Sequence, residues 1–233
     1  MTGVSERFWD ERAREQALFF VDNTVDYRNP DVERFWAEGE VAVGDILGEL
    51  GVELRPADTL VEIGCGVGRL TRVLAKRGRQ VVAVDVSEEM LARARELNPR
   101  LENVRWLHGD GESLAGVDSA SVDGCFSHVV FQHLPDPELT LGYVREMARV
   151  LRPGGWAAFG LSTDPAVHRP RRRAGWRLAA LFGRGPRGQE HPAWLGSAVP
   201  LERLEAAAAD SGLKLQRVLH PGTQFTLVLG RRA

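Results

Sequence analysis

The spacing of apolar positions changes near residue 58 of this 233-residue chain. Before that point, Trp9, Ala13 and Ala17 recur about one helical turn apart, and a second stripe of the same period runs from Val43 to Leu50. After it, short apolar runs alternate with amphipathic segments, which is the order of parallel strands covered by helices. The pattern predicts an N-terminal helical cap over residues 1–55 and one α/β domain over residues 56–233.

The second part contains seven apolar runs of strand length, at residues 59–63, 80–84, 104–108, 124–130, 156–161, 214–220 and 224–229. Gly78 is suited to end the helix after the first run, Ser87 to cap the next helix, and Asp136 with Pro137 to open the third. The last two runs are separated by a connection too short for parallel neighbours. We predict a Rossmann-like, doubly wound, mostly parallel seven-stranded sheet with an antiparallel C-terminal edge.

Residues 163–198 break this alternation, because they are rich in Pro, Arg and Gly and hold only one short helical candidate, at 176–182. We expect a variable insertion that shapes a substrate pocket, with His191 and Trp194 in one wall. The basic run at 168–173 could meet a phosphate, an acidic substrate or RNA, although an exposed loop is the simpler interpretation.

A glycine-rich turn follows the first predicted strand and reads Glu62-Ile63-Gly64-Cys65-Gly66-Val67-Gly68. Glycines let the backbone turn sharply and let a ligand approach, and free N–H groups at a helix start favour a negative group. Asp85 ends the second predicted strand, where a carboxylate can accept both hydroxyls of an adenosine ribose. The dinucleotide fingerprint requires its third glycine at position 69, which is Arg69 here, so the spacing disfavours NAD.

With this motif, residues 58–162 resemble the class I S-adenosylmethionine-dependent methyltransferases of the small-molecule type. The resemblance implies S-adenosylmethionine as the cofactor and S-adenosylhomocysteine as its product. It implies that the glycine turn wraps the methionyl and ribose groups, that Glu62 holds the turn or the methionyl ammonium, and that Asp85 binds the ribose. Asp110 would accept from the adenine amino group. The other implied cofactor contacts are Cys65, Val86, Met90, Gly111, Glu112, Ser127 and His128.

Two histidines follow the fourth predicted strand, at the sheet edge where ligands bind in open α/β folds. A base is needed only when a methyl acceptor must lose a proton. His133 is the preferred candidate because it lies in the loop, and His128 is the second. A structural or substrate-facing role for His133, and packing beneath the cofactor for His128, remain open.

Aromatic residues are frequent in the predicted cap and could close over a cofactor as a lid. The alternative is that they pack against the sheet edge. Tyr27 is the one we expect to contact the ligand. The others are Phe8, Trp9, Phe19, Phe20, Phe35 and Trp36.

Composition narrows the classes of protein. A formal charge of -2 and 43% apolar residues indicate an ordinary globular chain with no nucleic-acid partner. No apolar run approaches the roughly 18 residues of a membrane span, and the N-terminus lacks a signal-peptide core, so we expect a cytoplasmic protein. Cys65 and Cys125 are expected to be free thiols, and no metal site is predicted.

The sequence therefore predicts methyl transfer from S-adenosylmethionine to an oxygen, nitrogen or sulfur atom of a small metabolite, by a monomer or homodimer. The segment Ser127-His128-Val129-Val130 lacks the Asn or Asp-Pro-Pro-aromatic motif of adenine methylation in nucleic acids. A noncatalytic nucleotide-binding or regulatory protein, an NAD-dependent oxidoreductase and a metal-dependent methyltransferase remain as alternatives.

Overall fold

The computed structural model describes residues 2–169, 188 and 190–233. The predicted helix at 176–182 and most of the basic run at 168–173 lie outside the described residues. No helix among those described is long and apolar enough to cross a membrane.

One mixed sheet of seven strands forms the centre of the protein, in the order β3-β2-β1-β4-β5-β7-β6. Strands β1 to β5 are parallel to one another, whereas β7 runs antiparallel to both β5 and β6. The predicted fold class is therefore confirmed. The strands are β1 (Thr59–Ile63), β2 (Gln80–Asp85), β3 (Val104–His108), β4 (Val122–Ser127), β5 (Leu151–Leu161), β6 (Leu213–Leu219) and β7 (Thr226–Arg232).

Helix starts follow the capping signals in the sequence. Ser87 accepts a hydrogen bond from the Met90 N–H, and Asp136 accepts one from the Glu138 N–H, so each satisfies a free donor at a helix start. The helices are α1 (Thr2–Val21), α2 (Val32–Leu50), α3 (Thr71–Arg77), α4 (Glu88–Leu97), α5 (Pro137–Val150), α6 (Pro192–Leu195) and α7 (Leu201–Asp210), with a 3₁₀ helix at Phe131–His133.

The helices cover the sheet on two sides. Side chains from α5 and α7 pack on one face, and side chains from α2, α3 and α4 pack on the other. The sheet interior is consequently apolar on both faces, which explains why the parallel strands read as continuous apolar runs rather than alternating ones.

The N-terminal segment divides its contacts between two places. The second half of α2, from Val43 to Leu50, packs within the sheet core, whereas α1 belongs to a separate cluster that includes Phe20, Phe35 and Met90. The backbone of Gln16 is extended, so α1 consists of two helical segments joined at that residue. The cap boundary at residue 55 remains a prediction.

Two strand boundaries in the sequence prediction are wrong. The fourth strand ends at Ser127 rather than at residue 130, because the backbone turns at Val129, whose φ is 56°. The fifth strand begins at Leu151 rather than at residue 156, with an irregularity in its pairing with β4 between Leu151 and Trp156. Gly78 ends a helix as predicted, in an extended conformation.

Two glycines on α2 allow a test of this packing. Gly44 is exposed, and a β-carbon added there would have no other atom within 4 Å, so Gly44→Ala should raise the free energy of unfolding by about 0.5–1 kcal/mol. A β-carbon at Gly39 would lie 2.8 Å from Arg69 Cγ, so Gly39→Ala should lower the free energy of unfolding by about 1–3 kcal/mol. Urea unfolding measures both, and a gain in stability for Gly39→Ala would contradict the packing.

Candidate active site

A cavity of about 140 Å³ lies where the carboxyl ends of β1, β2 and β4 meet α1. Its floor is the glycine turn, and its walls come from α1, from the loop after β3 and from the segment between β4 and α5. The lining residues are Ser5, Trp9, Phe20, Val21, Glu62, Ile63, Gly64, Cys65, Gly66, Arg69, Leu70, Val84, Asp85, Val86, Met90, Gly109, Gly111, Glu112, His128, Val129, Val130, His133, Leu134, Pro135, Leu139 and Tyr143.

All three glycines of the turn have positive φ, at 74° for Gly64, 53° for Gly66 and 84° for Gly68. Each is also approached by a side chain from a different element, so a β-carbon there would meet Val130, Val21 or Trp106 respectively. Glycine is therefore required at these positions by both backbone conformation and packing. Ligand access, the reason expected from the sequence, is only part of the explanation, because the surroundings of the glycines are largely filled by protein.

Four of the N–H groups of the turn already have partners. Those of Gly64 and Cys65 donate to the Val84 carbonyl at 2.8 and 3.0 Å, and that of Gly68 donates to the Cys65 carbonyl at 2.9 Å. The Gly66 N–H donates to Asp85 Oδ2 at 2.7 Å. The expectation that this helix start offers free N–H groups to an anion is wrong for these four donors.

Asp85 stands at the end of β2 and lines the cavity. Besides the Gly66 N–H, its carboxylate accepts the Ser87 N–H at 2.9 Å through Oδ1. Burial raises the pKa of Asp85, and these backbone donors oppose that shift. A carboxylate has about four lone-pair positions, so both oxygens can still accept from ligand hydroxyls.

Glu62 is buried at the end of β1 and also lines the cavity. The Thr71 hydroxyl donates to Glu62 Oε2 at 2.5 Å. Burial raises the pKa of Glu62 to about 8, with the Asp85 carboxylate acting in the same direction and the Thr71 hydrogen bond opposing it. A cationic group beside Glu62 would favour the ionised carboxylate.

His133 lies on the 3₁₀ helix and lines the cavity, with its ring against those of Trp9 and Trp194 at centroid distances of 5.7 and 5.4 Å. Its Nδ1 is 2.8 Å from the Trp194 carbonyl oxygen, which can only accept. Nδ1 therefore carries the proton, and Nε2 of the neutral ring is an acceptor. Burial lowers the pKa of His133, which favours this neutral form.

His128 also lines the cavity, directly after β4. Its Nδ1 is buried and has no hydrogen-bond partner among the described residues. Burial lowers the pKa of His128 to about 4, and nearby Arg69 acts in the same direction. A ring with so low a pKa is a weak base.

The loop after β3 supplies another wall of the cavity. Gly111 and Glu112 line it, as do Val86 and Met90, in agreement with the expectation from the sequence. Asp110 does not, because its carboxylate is turned to its own loop. Asp110 Oδ1 accepts the Glu112 and Ser113 N–H groups at 2.8 and 2.7 Å, and Oδ2 accepts the Ser113 hydroxyl at 2.6 Å.

Three other expected contacts lie outside the cavity lining. Gly68 packs under Trp106 and Asn98, and the buried Ser127 hydroxyl donates to the Ile63 carbonyl at 3.0 Å, joining β4 to β1. The Tyr27 hydroxyl donates to Glu15 Oε1 at 2.6 Å within the N-terminal segment, so this structure does not bring Tyr27 to the cavity.

The cap aromatics divide between the two expected roles. Trp9 and Phe20 line the cavity, whereas Phe8, Phe19, Phe35 and Trp36 pack elsewhere. Trp194 and His191 do not form the wall expected of them. Trp194 packs behind the wall against Phe20, at 5.7 Å between ring centroids, and His191 stacks on Phe8 at 4.4 Å.

Two lining residues of chemical interest were not predicted from the sequence. Tyr143 of α5 stands in the wall beside Leu139. Arg69 was noted only as a departure from the dinucleotide spacing. The structure places it in the cavity with its side chain 9% exposed and 3.1 Å from Asp22. A charged residue next to a glycine turn was the available signal.

The described residues contain no group of three His, Cys, Asp or Glu side chains placed to hold a metal ion. Burial raises the pKa of Cys65 and of Cys125, and both are free thiols, so neither behaves as an activated nucleophile.

Known proteins resemble this chain most over the sheet and the glycine turn. Residues 61–159 match the family model of a methyltransferase domain. A malonyl-[acyl-carrier protein] O-methyltransferase from Pectobacterium atrosepticum is 39% identical over 123 residues, or 52% of this chain and 46% of that protein. A trans-aconitate 2-methyltransferase from Azoarcus sp. is 39% identical over 140 residues, or 58% of this chain and 51% of that protein.

Among solved structures, geranyl diphosphate C-methyltransferase from Streptomyces coelicolor A3(2), in complex with S-adenosylhomocysteine, has a TM-score of 0.64 and 16% identity. The likeness covers 100% of this chain and 97% of that one. At this identity the comparison establishes the fold. The chain spans about half or less of the length of the curated relatives it matches.

The sheet order, the glycine turn and the acidic ends of β1 and β2 match the fold of a class I, Rossmann-like methyltransferase domain. Residues 61–159 match the family model of a methyltransferase domain, which supports the resemblance to the S-adenosylmethionine-dependent methyltransferases predicted from the sequence.

The raised pKa of Glu62 allows a test that needs no ligand. Since the native pKa of about 8 exceeds the ordinary value of 4.5, the folded protein binds the extra proton between these values, and stability falls as pH rises. Wild type should lose up to about 1.4 kcal/mol per pH unit relative to Glu62→Gln between about pH 5.5 and 7.5. Urea unfolding at several pH values measures this difference.

All other ionisable groups are common to both proteins, so their effect cancels in that comparison. Exposed Glu102→Gln serves as the control and should show a difference from wild type that does not change with pH. A constant difference between wild type and Glu62→Gln over the same range would mean that Glu62 is ionised throughout.

Proposed function

We propose that this protein transfers a methyl group from S-adenosylmethionine to a nucleophilic atom of a small molecule. The observation that carries the proposal is the glycine turn, four of whose N–H groups have protein partners, while two carboxylates line the cavity beside it. NAD presents a pyrophosphate, which needs free donors at a helix start. S-adenosylmethionine has no phosphate, and it carries hydroxyl and ammonium donors that suit carboxylates.

The lining residues fit this cofactor along its length. Asp85 would accept from the ribose hydroxyls, as the family resemblance implies. Val86 and Met90 offer an apolar surface to the adenine, with Gly111 and Glu112 on the neighbouring loop. Glu62 would face the methionyl end. The adenine contact expected of Asp110 is not proposed, because hydrogen bonds hold its carboxylate within the loop.

The cofactor supplies an electrophilic methyl group on a sulfonium. The acceptor atom forms a bond to that carbon as the carbon–sulfur bond breaks, and the bonding pair returns to sulfur. Where the acceptor is protonated, His133 Nε2 takes the proton, and the Trp194 carbonyl stabilises the resulting imidazolium through Nδ1–H. The protein otherwise contributes by holding the two reactants in line.

The acceptor is proposed to bind between α1 and the segment from His128 to Pro135. Trp9, Phe20 and Val129 make this side of the cavity apolar. Two relatives are named as methyltransferases of malonyl-[acyl-carrier protein] and of trans-aconitate. The first is named an O-methyltransferase, which supports an oxygen acceptor, and the second name supports a small-molecule acceptor. The lining leaves nitrogen and sulfur acceptors open.

Two alternatives receive less support. The antiparallel β7 between β5 and β6 departs from the dinucleotide-binding strand order, which argues against an oxidoreductase. A noncatalytic regulatory protein would bind the cofactor without consuming it. Cytoplasmic location, a monomeric or dimeric state, and the absence of metal and nucleic-acid partners remain predictions.

Calorimetric titration tests the cofactor assignment. S-adenosylhomocysteine should bind with micromolar affinity, on the order of −8 kcal/mol, and NAD should not bind. Asp85→Asn should weaken S-adenosylhomocysteine binding at least about tenfold, because hydrogen bonds to a charged group are worth about 1.5–3 kcal/mol. The exposed Asp118→Asn is the matched control. Unchanged affinity in Asp85→Asn would refute the ribose contact, and binding of NAD alone would refute the cofactor.

Turnover is tested by screening small nucleophiles as methyl acceptors and measuring the release of S-adenosylhomocysteine. With an acceptor that must lose a proton, His133→Ala should lower kcat by roughly 10²–10⁴-fold while the affinity for S-adenosylhomocysteine changes little. His220→Asn, at a remote exposed residue with positive φ, is the control. An unchanged kcat in His133→Ala would remove the residue from proton transfer.

A further inference from the structure

Helix α6 is a single turn, and histidine rings bind two of its carbonyls. His133 Nδ1 is 2.8 Å from the Trp194 carbonyl oxygen, and His168 Nδ1 is 2.5 Å from the Leu195 carbonyl oxygen. The last carbonyls of a helix have no partner within it. The two rings therefore bind adjacent carbonyls at the end of α6, one ring from the cavity wall and the other from outside the cavity lining.

His168 connects α6 to the central sheet. Its Nε2 is 2.6 Å from the hydroxyl oxygen of Ser162, a fully buried residue that directly follows β5. The Leu195 carbonyl can only accept, so Nδ1 of His168 carries a proton. In the neutral ring the Ser162 hydroxyl then donates to Nε2. Both ring nitrogens are engaged, and the ring links the end of α6 to the end of a strand that is paired on both sides.

The residues after α6 pack on the segment that carries His133. Gly196 has a φ of 64°, and a β-carbon there would overlap the Gln132 carbonyl. The Ser197 hydroxyl donates to the Leu134 carbonyl at 2.7 Å. A helix of one turn has too few internal hydrogen bonds to be stable alone. The position of its carbonyls relative to the His133 ring therefore depends on contacts from outside the helix.

The place of the proton on His133 decides what its ring can do. With the proton on Nδ1, Nε2 has a lone pair and can act as a base, whereas with the proton on Nε2 that atom can only donate. The hydrogen bond made by one ring nitrogen selects the tautomer. Burial lowers the pKa of His133, with charge on His168 acting in the same direction and the Trp194 hydrogen bond opposing it. The ring is thus kept neutral, and its tautomer depends on the Trp194 carbonyl.

We propose that His168 is a positioning residue for the methyl-transfer reaction. Its Nδ1–H holds the Leu195 carbonyl, and this contact keeps the neighbouring Trp194 carbonyl on His133 Nδ1, which leaves His133 Nε2 as the base. Ser162 contributes by keeping the proton of His168 on Nδ1. This inference rests on the proposed function, in which His133 Nε2 takes the proton of the methyl acceptor.

The test is nitrogen NMR of the histidine rings at about pH 8, where an ordinary ring is neutral, because protonated and unprotonated ring nitrogens give distinct signals. The His133 signals are identified by their loss in His133→Asn. Wild type should show the proton on Nδ1 of His133. In His168→Ala we expect a mixture of both tautomers. His168→Asn keeps an N–H close to the position of Nδ1 and should preserve the tautomer of wild type.

Turnover gives a second measurement. With a methyl acceptor that must lose a proton, His168→Ala should lower kcat at least about tenfold, because a misplaced base loses part of its contribution. The affinity for S-adenosylhomocysteine should change little, since His168 lies outside the cavity lining. The control is His220→Asn, at an exposed histidine that contacts Glu49 of α2. It should change neither kcat nor the tautomer of His133.

Several outcomes would overturn the proposal. An unchanged His133 tautomer in His168→Ala would show that α6 keeps its position without His168, and an equal change in His168→Asn would exclude the Leu195 hydrogen bond as the cause. If His168→Ala does not fold, Ser162→Ala removes one hydroxyl and leaves His168 in place, and it should shift part of the His133 population. If wild type does not bind S-adenosylhomocysteine, the proposed function itself fails. That failure is distinct, because the NMR measurement requires neither cofactor nor methyl acceptor.

Discussion

The site depends on the left-handed backbone of the turn between β1 and α3. Three glycines there adopt positive φ, and a different element packs on each one: the segment after β4 on Gly64, α1 on Gly66 and β3 on Gly68. A side chain at any of them would both strain the backbone and displace a wall. One short segment therefore sets the positions of the cavity floor, the cap and the loop that carries His133.

The same turn also determines where charge lies in the cavity. Glu62 ends the strand before it, Arg69 follows it, and Asp85 accepts its Gly66 N–H, so the buried charges gather at one side. The opposite side, around Trp9 and Phe20, is apolar. Methyl transfer from a sulfonium to an anionic acceptor removes charge from both reactants. Surroundings of low polarity on the acceptor side would favour such a step.

The sequence was sufficient to predict the sheet, because strand periodicity, capping residues and a short final connection each have a local cause. It also located Glu62, Asp85 and both histidines at the strand ends that meet the cavity. It failed for two residues, for different reasons. Asp110 makes hydrogen bonds within its own loop, which the family resemblance does not indicate. Arg69 packs against Gly39 of a distant helix, where the missing side chain leaves room for its stem, and such a long-range contact has no local signal.

His133 shows why the acceptor is harder to infer than the cofactor. Its tautomer is set by the backbone carbonyl of Trp194, 61 residues away, and no side-chain pattern encodes such a contact. Its ring packs against Trp9 of the cap and Trp194 of α6, neither of which belongs to the turn. Substitutions in α1 or α6 could therefore reshape the acceptor side without altering the turn. Cofactor chemistry and acceptor choice thus reside in different parts of the chain, and only the first has a compact motif.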